Sequence, residues 1–334
     1  MTASVGALRL VELSIAVPRA DGSTVDVTDR VSLTVRAGRV HALVGESGSG
    51  KTLTALAAPR LLPPRVRRTS GHVVLDDAAQ GAIDVTALDD GALRRVRGRR
   101  LAMIFQEPMT ALDPLMRVVD QVKEPLLVHG LARGRAATDR ATALLERVGI
   151  PAARVRAYPH ELSGGQRQRV MIALALAADP AFVIADEPTT ALDVTVQAAV
   201  LALLRELVVE RGLGLLLITH DLGVVAEVAD DVTVMYAGQV VEQGDVVDVF
   251  SSPRHPYTTA LLRARPHAQQ APDESGARAP LPTIRGAVPA AGAWPSGCRF
   301  RDRCDLADDT VCSAPQELIA LGQGRAVRCA RAVA

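Results

Sequence analysis

Two kinds of hydrophobic pattern occur along the chain. Apolar and polar residues alternate over residues 8–17 and 25–35, which predicts strands with one exposed face, the second either one strand or a pair. Unbroken apolar runs over residues 101–105, 181–185 and 213–218 predict strands buried on both faces. Buried runs of this kind are typical of a parallel sheet covered by helices, so we expect an α/β fold.

Helical spacing marks other stretches. Residues 117–149 place apolar side chains every three or four positions, with breaks at Gly130 and Gly134, and predict a small helical insertion. Residues 167–178 predict a further helix, and residues 232–244 predict a hairpin that closes the sheet. A linker rich in Pro, Ala and Gly follows at about residues 265–283, and all four cysteines come after it.

Composition narrows the class of protein. The chain has 334 residues, of which 48% are hydrophobic and only 2% aromatic, so its core must be built mainly from Ala, Val and Leu. This length suffices for two domains, or for one large domain with an extension. The formal net charge of +1 provides no general field that would attract nucleic acid, which we therefore do not expect as a partner.

We expect a soluble, cytosolic chain. The first residues lack a basic segment followed by an apolar one with a cleavage site, so export is not expected. No stretch reaches the roughly 20 apolar residues of a membrane span. The best candidate, residues 171–185, is interrupted by Asp179 and Pro180.

A glycine-rich segment between a predicted strand and a predicted helix is the strongest chemical signal. Its glycines let the backbone approach a ligand and point successive N–H groups at phosphate oxygens. The lysine would reach the β- and γ-phosphates of a nucleotide, and the threonine hydroxyl would take one Mg²⁺ coordination site. The alternative is a simple glycine turn before a helix. The segment consists of Gly45, Glu46, Ser47, Gly48, Ser49, Gly50, Lys51 and Thr52.

Lysine is rare in this chain. Only Lys51 and Lys123 are present among 38 basic residues, so the lysine at the glycine-rich segment indicates a need for a compact charge that arginine would not supply.

A second glycine-containing helix start lies further along. Ser163 is a good N-cap, and Gly164 and Gly165 offer free backbone N–H groups, so this segment is either a second anion site or a cap and nothing more. The segment consists of Leu162, Ser163, Gly164, Gly165 and Gln166.

Polar residues end several of the predicted buried strands. Gln106 could ligate Mg²⁺ or hold a water molecule, and Asp186 could hold Mg²⁺. Glu187 could polarise an attacking water, unless the two carboxylates only cap the next helix. His220 lies just after the run over residues 213–218 and could contact a γ-phosphate, although a lone histidine is usually structural.

Together these motifs, in this order, resemble those of the ATP-binding-cassette ATPases, over residues 8 to about 245. The resemblance implies a RecA-like P-loop ATPase core, an antiparallel β subdomain and a helical subdomain inserted at about residues 107–168. It divides the chain into an ATPase domain, residues 1–245, and a small cysteine-containing extension, residues 246–334.

The resemblance also implies roles for the residues. ATP on Lys51 of one subunit would be closed over by residues 162–166 of a second, identical or homologous subunit in a head-to-tail dimer, with Asp193 in the D-loop. Glu187, His220 and Gln106 would be catalytic. Mg²⁺ would be held through Thr52, Gln106 and Asp186. Closure would move two membrane permease subunits, which implies a peripheral location at the cytoplasmic face of the membrane.

The sequence of the extension indicates which subgroup of these ATPases the chain resembles. Residues 254–258, Arg-His-Pro-Tyr-Thr, and the spacing of the cysteines are similar to those of ATPase subunits of oligopeptide and dipeptide importers, with nickel importers as close relatives. The function implied is ATP hydrolysis that powers peptide import, with an extracytoplasmic substrate-binding protein in the assembled system. The alternatives are import of nickel or another solute, and a soluble ATPase without a transport role.

The cysteines suggest a metal site. Four thiols in one short stretch of a cytosolic protein favour metal binding over disulfides. The resemblance favours a [4Fe–4S] cluster, while zinc and unliganded packing cysteines stay open. The four residues are Cys298, Cys304, Cys312 and Cys329.

One position departs from the family pattern. Val17 stands where such ATPases often place an aromatic residue that stacks on adenine, and no Phe, Tyr or Trp precedes Phe105. The sequence therefore predicts weak discrimination between ATP and GTP, or a base contact from elsewhere.

Overall fold

The computed structural model describes residues 5–77, 81–189, 192–264 and 283–332. This part of the chain holds twelve strands, eight of them in one large sheet and four in a smaller one. In chain order they are β1 (Val5–Pro18), β2 (Thr24–Arg36), β3 (Val40–Val44), β4 (Arg67–Asp77), β5 (Gly81–Asp84), β6 (Leu101–Ile104), β7 (Phe182–Asp186), β8 (Gly214–Ile218), β9 (Asp231–Tyr236), β10 (Gln239–Asp245), β11 (Ile319–Gly322) and β12 (Arg325–Val327).

Eleven α-helices, besides short 3₁₀ turns, occur in the same described ranges. They are α1 (Lys51–Ala57), α2 (Asp90–Val96), α3 (Pro108–Ala111), α4 (Val118–Val128), α5 (Gly134–Arg147), α6 (Gly164–Leu176), α7 (Val194–Arg211), α8 (Leu222–Val228), α9 (Val246–Ser251), α10 (Pro256–Arg263) and α11 (Asp309–Cys312). None of the helices in the described ranges is long and apolar enough to cross a membrane.

The large sheet explains the unbroken apolar runs. Its strand order is β11-β12-β10-β9-β3-β8-β7-β6, and β6, β7, β8, β3 and β9 pair in parallel. All residues of β3, β7 and β8 are buried, as expected for strands covered on both faces. Because the carboxyl ends of parallel strands share one edge, this sheet brings residues 45, 106, 187 and 219 to the same side of the molecule.

A smaller antiparallel sheet has the order β2-β1-β4-β5. Its strands alternate as the sequence predicts, and the stretch predicted as one strand or a pair is the single strand β2. The inward side chains, among them Leu8, Leu10, Val31 and Val73, join one core cluster with Phe182 and Ile184 of the large sheet. The α/β core with an antiparallel β layer is therefore confirmed.

Helices α4 and α5 pack on each other and on α6. Val122, Leu126, Ala141 and Leu145 are fully or almost fully buried in the cluster that joins these helices to the sheet. Gly130 follows α4 and Gly134 is the first residue of α5, and their φ angles of 64° and 53° are in the left-handed region that glycine permits. The predicted break at these residues is correct.

The extension packs on the core instead of standing apart from it. Strand β12 pairs antiparallel with β10, so β11 and β12 lengthen the large sheet. Phe300 is buried with Tyr236 and Tyr257, its ring centroid 5.1 Å from that of Tyr236. The extension therefore shares a hydrophobic core with the large sheet. The predicted linker at residues 265–283 lies, except for its last residue, outside the described residues.

Candidate functional site

The glycine-rich segment wraps tightly between β3 and α1. Gly45 and Gly50 have φ angles of 150° and 96°, and Gly50 is the N-cap of α1. A Cβ on Gly45 would lie 2.1 Å from the Met235 carbonyl oxygen, and one on Gly50 would lie 2.7 Å from Thr28 Cγ2. Larger residues cannot stand at these positions without moving the backbone. The loop is therefore built from glycine for steric reasons, and it is more than a flexible turn.

Lys51 lies inside this loop with its side chain directed back over it. Its Nζ donates to the carbonyl oxygens of Gly45 at 2.8 Å and Glu46 at 2.9 Å, and to Ser49 Oγ at 3.3 Å. Burial lowers the pKa of the Lys51 ammonium, while the Glu187, Asp186 and Glu46 carboxylates act in the opposite direction. The result is a buried, oriented positive charge at the start of a helix, suited to a phosphate group.

Thr52 and Asp186 form a pair of oxygen ligands beside the loop. The Thr52 hydroxyl lies 3.4 Å from Asp186 Oδ1, and Asp186 is only 2% exposed. Burial raises the pKa of the Asp186 carboxyl, and the Thr52 hydroxyl and Lys51 oppose that shift. A hydroxyl and a carboxylate side by side fit Mg²⁺, a hard cation that prefers oxygen ligands.

Glu187 lies between Gln106 and His220. Gln106 Nε2 donates to Glu187 Oε2 at 3.1 Å, and His220 Nδ1 lies 3.2 Å from Glu187 Oε1. Glu187 itself has a φ angle of 46°, and its N–H donates to the Ile218 carbonyl at 2.9 Å. A non-glycine residue in the left-handed region is uncommon, so the backbone bond to β8 helps to hold a strained position that directs the carboxylate at the site. The three residues predicted to be catalytic thus meet at one point.

The second glycine-containing helix start is built differently. Ser163 caps α6 through Gln166, since Ser163 Oγ accepts from the Gln166 N–H at 3.3 Å and Gln166 Oε1 accepts from the Ser163 N–H at 3.1 Å. Leu162 is buried, whereas Ser163 and Gly164 are exposed and Gly165 faces Leu192. The cap is therefore present, and the hydrogen bonds of these residues are local to α6 and to the turn that precedes it. The structure does not join this segment to Lys51 within one chain.

Asp193 has a local contact as well. It is the N-cap of α7, and its Oδ1 accepts from the Val196 N–H at 3.0 Å. Its side chain therefore shapes the segment after Glu187.

Residues of the extension contact the glycine-rich segment, which the sequence did not predict. The Tyr257 hydroxyl accepts from the Glu46 N–H at 2.9 Å, and Arg303 makes an ion pair with the Glu46 carboxylate. Tyr257 belongs to the Arg-His-Pro-Tyr-Thr stretch, which the sequence singled out as a family feature and not as a neighbour of the nucleotide loop. No local signal marks Arg303.

Val17 pairs with Val25 across β1 and β2, and this pair supplies no aromatic ring. Gly292 of the extension lies close by, since a Cβ there would be 2.7 Å from Val25 Cγ2. The predicted weakness of base stacking is not tested by these contacts and stays a prediction.

The four cysteines lie in one region but do not form a ligand set. Cys312 and Cys329 are 8% exposed, and the Cys298 N–H donates to the Cys312 carbonyl at 2.9 Å. Burial, with a smaller contribution from the other three thiols, raises the pKa of the Cys298 thiol to about 11. Within the described ranges, no group of three or more His, Cys, Asp or Glu side chains is arranged to hold a metal ion. The four thiols, as the structure places them, therefore do not form the predicted [4Fe–4S] or zinc site.

Two families match different parts of the chain. The family described as ABC transporter matches residues 28–190, and the one described as oligopeptide/dipeptide transporter, C-terminal region, matches residues 241–312. Two proteins of Brucella abortus (strain 2308), each provisionally named a peptide import ATP-binding protein, are similar over most of their length. One is 49% identical over 304 residues, 90% of each chain. The other is 46% identical over 333 residues, 98% of this chain and 97% of that one.

Solved structures of ATP-binding cassettes and ABC transporter subunits are also similar to this chain. A dimeric ATP-binding cassette in a post-hydrolysis state, bound to ADP and Pi, is 28% identical with a TM-score of 0.64, and covers 72% of this chain and 98% of its own. A subunit of an ABC transporter complex from Clostridium perfringens is 27% identical with a TM-score of 0.60, and covers 74% of this chain and 92% of its own.

Proposed function

Because the chain belongs to the ABC transporter family and is an ATPase of that family, we propose that it hydrolyses ATP to power the import of peptides through a membrane transporter. ATP hydrolysis is supported by one observation: Gln106, Glu187 and His220 lie together beside the loop that contains Lys51. Peptides as the transported substrate are supported by the match of residues 241–312 to the oligopeptide/dipeptide transporter C-terminal region and by the names of the relatives.

The site residues divide the chemistry among them. Glu187 accepts a proton from the attacking water, and Gln106 and His220 hold its two carboxylate oxygens in place. Lys51 and the N–H groups of the loop stabilise negative charge on the phosphates. Thr52 and Asp186 would hold Mg²⁺, which neutralises phosphate charge when bound, with Gln106 as a further candidate ligand.

We infer a head-to-tail dimer in which residues 162–166 of one subunit close over the nucleotide of the other. The exposure of Ser163 and Gly164 and the local hydrogen bonds of the segment support this role, as does the dimeric state of a similar cassette. The 13-residue helix α6 directs its N-terminus, and thus its positive dipole end, out of the subunit. Asp193 at the start of α7 would meet the same interface.

The remaining parts of the assembly follow from this function. We propose two permease subunits, a second ATPase subunit and an extracytoplasmic substrate-binding protein as partners, and a peripheral location at the cytoplasmic face of the membrane. Residues 1–245 would form the ATPase domain, with the helical subdomain at about residues 107–168, and residues 246–334 the extension. Nickel or another solute is the alternative cargo.

For the cysteines we propose a [4Fe–4S] cluster, with zinc as the alternative, on the support of four thiols between residues 298 and 329. Assembly would require the side chains to turn toward a common centre. Anaerobic purification with iron, sulfide and zinc analysis tests it. About four irons and four sulfides per chain support the cluster. One zinc per chain supports the alternative. If neither metal is found, the four cysteines only pack in the extension.

The substitution Glu187→Gln tests the ATPase mechanism. It keeps the size of the side chain and its bonds to Gln106 but removes the base, so we expect turnover to fall by roughly 100-fold to 10,000-fold while ATP still binds. Size-exclusion chromatography with ATP and Mg²⁺ should then detect a trapped dimer. Full turnover in this variant would remove Glu187 from the catalytic role.

Uptake of labelled peptide or nickel by proteoliposomes with the cognate permeases decides between the cargoes.

A further inference from the structure

Glu46 poses an electrostatic problem in the phosphate loop. It places a carboxylate inside a segment whose other features, Lys51, the glycine N–H groups and the start of α1, all favour anions. An unpaired carboxylate there would repel a triphosphate, since like charges a few ångströms apart are unfavourable when partly desolvated.

The structure shows what neutralises this carboxylate. Arg303 Nη1 donates to Glu46 Oε2 at 2.7 Å and Nη2 donates to Glu46 Oε1 at 3.0 Å, although the two residues are 257 positions apart in the chain. The Arg303 side chain is 6% exposed and that of Glu46 is 28% exposed. A two-pronged guanidinium–carboxylate pair shielded from water is strong and also fixes the relative orientation of both groups.

Arg303 is itself held on several sides. Its Nε donates to the Arg285 carbonyl at 2.6 Å, and its Nη1 also donates to the Tyr236 hydroxyl at 3.3 Å. Its guanidinium lies 5.6 Å from the centroid of the Tyr236 ring. The Glu46 carboxylate, acting through the hydrogen bonds, raises the pKa of Arg303, so this residue is charged at every physiological pH.

The other polar groups of Glu46 are also occupied. Its N–H donates to the buried Tyr257 hydroxyl, and its carbonyl accepts from Lys51 Nζ at 2.9 Å. Glu46 is thus bound to the extension through its N–H and its side chain, and to Lys51 through its carbonyl. A displacement of Glu46 would move the oxygen that orients the Lys51 ammonium.

We propose that Arg303 and Tyr257 are positioning residues of the nucleotide site, through which the extension holds the phosphate loop and cancels the charge of Glu46. The inference rests on the ATP binding of the proposed function and adds that residues 246–334 help to bind nucleotide in the same subunit. Neither residue touches the reacting atoms. Both act through Glu46.

A comparison of Arg303→Gln with the double variant at Glu46 and Arg303 separates the effect of the unpaired charge from that of a lost structural contact. The full-length chain and its variants are titrated with a fluorescent ATP analogue in the presence of Mg²⁺. Arg303→Gln should weaken binding about 10-fold, because it leaves the carboxylate unpaired beside the phosphates. Arg303→Lys should recover part of the affinity. Glu46→Gln combined with Arg303→Gln should bind several-fold more tightly than Arg303→Gln alone, because no unpaired charge is left.

The matched control is Arg285→Gln. Arg285 belongs to the same part of the extension, but its ion pair with Asp305 is exposed, with 81% and 75% of the two side chains accessible. Its affinity should stay within about twofold of the parent chain, as for most exposed pairs. Steady-state kinetics should show an increase in KM for ATP in Arg303→Gln that is larger than the change in kcat.

The outcomes are distinguishable. If the parent chain fails to bind the analogue, the proposed function is wrong. If the parent binds and Arg303→Gln binds equally well, or if the double variant is no better than Arg303→Gln, the inference is wrong. Should Arg303→Gln fail to fold by circular dichroism, Tyr257→Phe decides, because it removes only the hydroxyl that accepts from the Glu46 N–H. It should weaken binding several-fold, and unchanged affinity would overturn the inference.

Discussion

The two glycine-containing helix starts of this chain have opposite surroundings. The loop before α1 is held from all sides: Lys51 folds back over it, β9 closes it at Met235, and the extension grips Glu46. The start of α6 is capped by Ser163 and Gln166 of the same helix, and Ser163 and Gly164 are open to solvent. Similar residues at a helix start therefore produce one site that is assembled within the subunit and one that faces outward.

The difference indicates which half of a shared nucleotide site must be rigid in the free subunit. A loop that grips phosphate before its partner arrives gains affinity from being fixed in advance. A segment that approaches only on closure has no need of such contacts, and a local cap suffices to keep its N–H groups directed outward. Substitutions at the two starts should therefore have different effects on binding and on turnover.

The largest effect is expected at the first start. Lys51→Ala removes the buried ammonium and leaves the carbonyls of Gly45 and Glu46 without their donor. Affinity for ATP should fall by at least about 100-fold, the size expected when one partner of a buried charged pair is removed. Equilibrium titration with a fluorescent ATP analogue measures it. Lys123→Ala, at the other lysine, whose partner is Asp120, is the control and should bind as the parent does.

At the second start, binding and turnover should separate. Gly165→Asp puts a carboxylate into the first turn of α6, where it favours the helix but repels a nucleotide brought by the partner subunit. Its Cβ would meet Leu192 Cδ2 at 3.3 Å, the end of a flexible side chain that can move. ATP should bind the single subunit within about twofold of the parent affinity, while hydrolysis falls about 100-fold. Gly164→Ala, with nothing within 4 Å of its Cβ, is the milder control. Equal losses of binding and turnover would contradict the comparison.

Much of the first start could be predicted from sequence because its determinants are local. A buried strand, a glycine loop and a lysine are consecutive in the chain, and each needs only its neighbours to adopt its conformation. The same holds for Asp186 and Glu187, which follow an unbroken apolar strand, and for the Ser163 cap. The meeting of Gln106, Glu187 and His220 followed from the rule that parallel strands end at one edge.

The contribution of the extension could not be predicted in this way. Arg303 has Arg299 and Arg301 as near neighbours, and nothing in the sequence distinguishes the one that reaches Glu46. Strand β11 is exposed at all four residues and β12 has only three, so neither shows a pattern long enough to detect. The cysteines illustrate the converse. Their number predicts a metal site, but their side-chain arrangement depends on contacts between distant segments.

The smallest expected effect is a pH dependence of stability that arises at α10, the helix of the extension that contacts the loop before α1. His255 is the N-cap of α10, its Nδ1 accepts from the Tyr257 N–H at 3.0 Å, and burial lowers its pKa to about 3. The unfolded chain binds a proton at His255 below its ordinary pKa of about 6.5, whereas the folded chain does not, so stability falls as the pH falls from about 6.5 toward 3. At pH 5 this residue alone should cost about 2 kcal/mol of unfolding free energy relative to pH 8.

Urea denaturation of the parent chain and of His255→Asn at both pH values measures the difference. Asparagine retains an N-cap acceptor but does not titrate, so the variant should lose less stability on acidification. His41, whose pKa burial lowers to about 4, titrates equally in both proteins and cancels in the comparison. Since α10 carries Tyr257, acidification should also weaken nucleotide binding at the loop before α1. Equal acid sensitivity of parent and variant would mean that His255 is already charged in the folded chain.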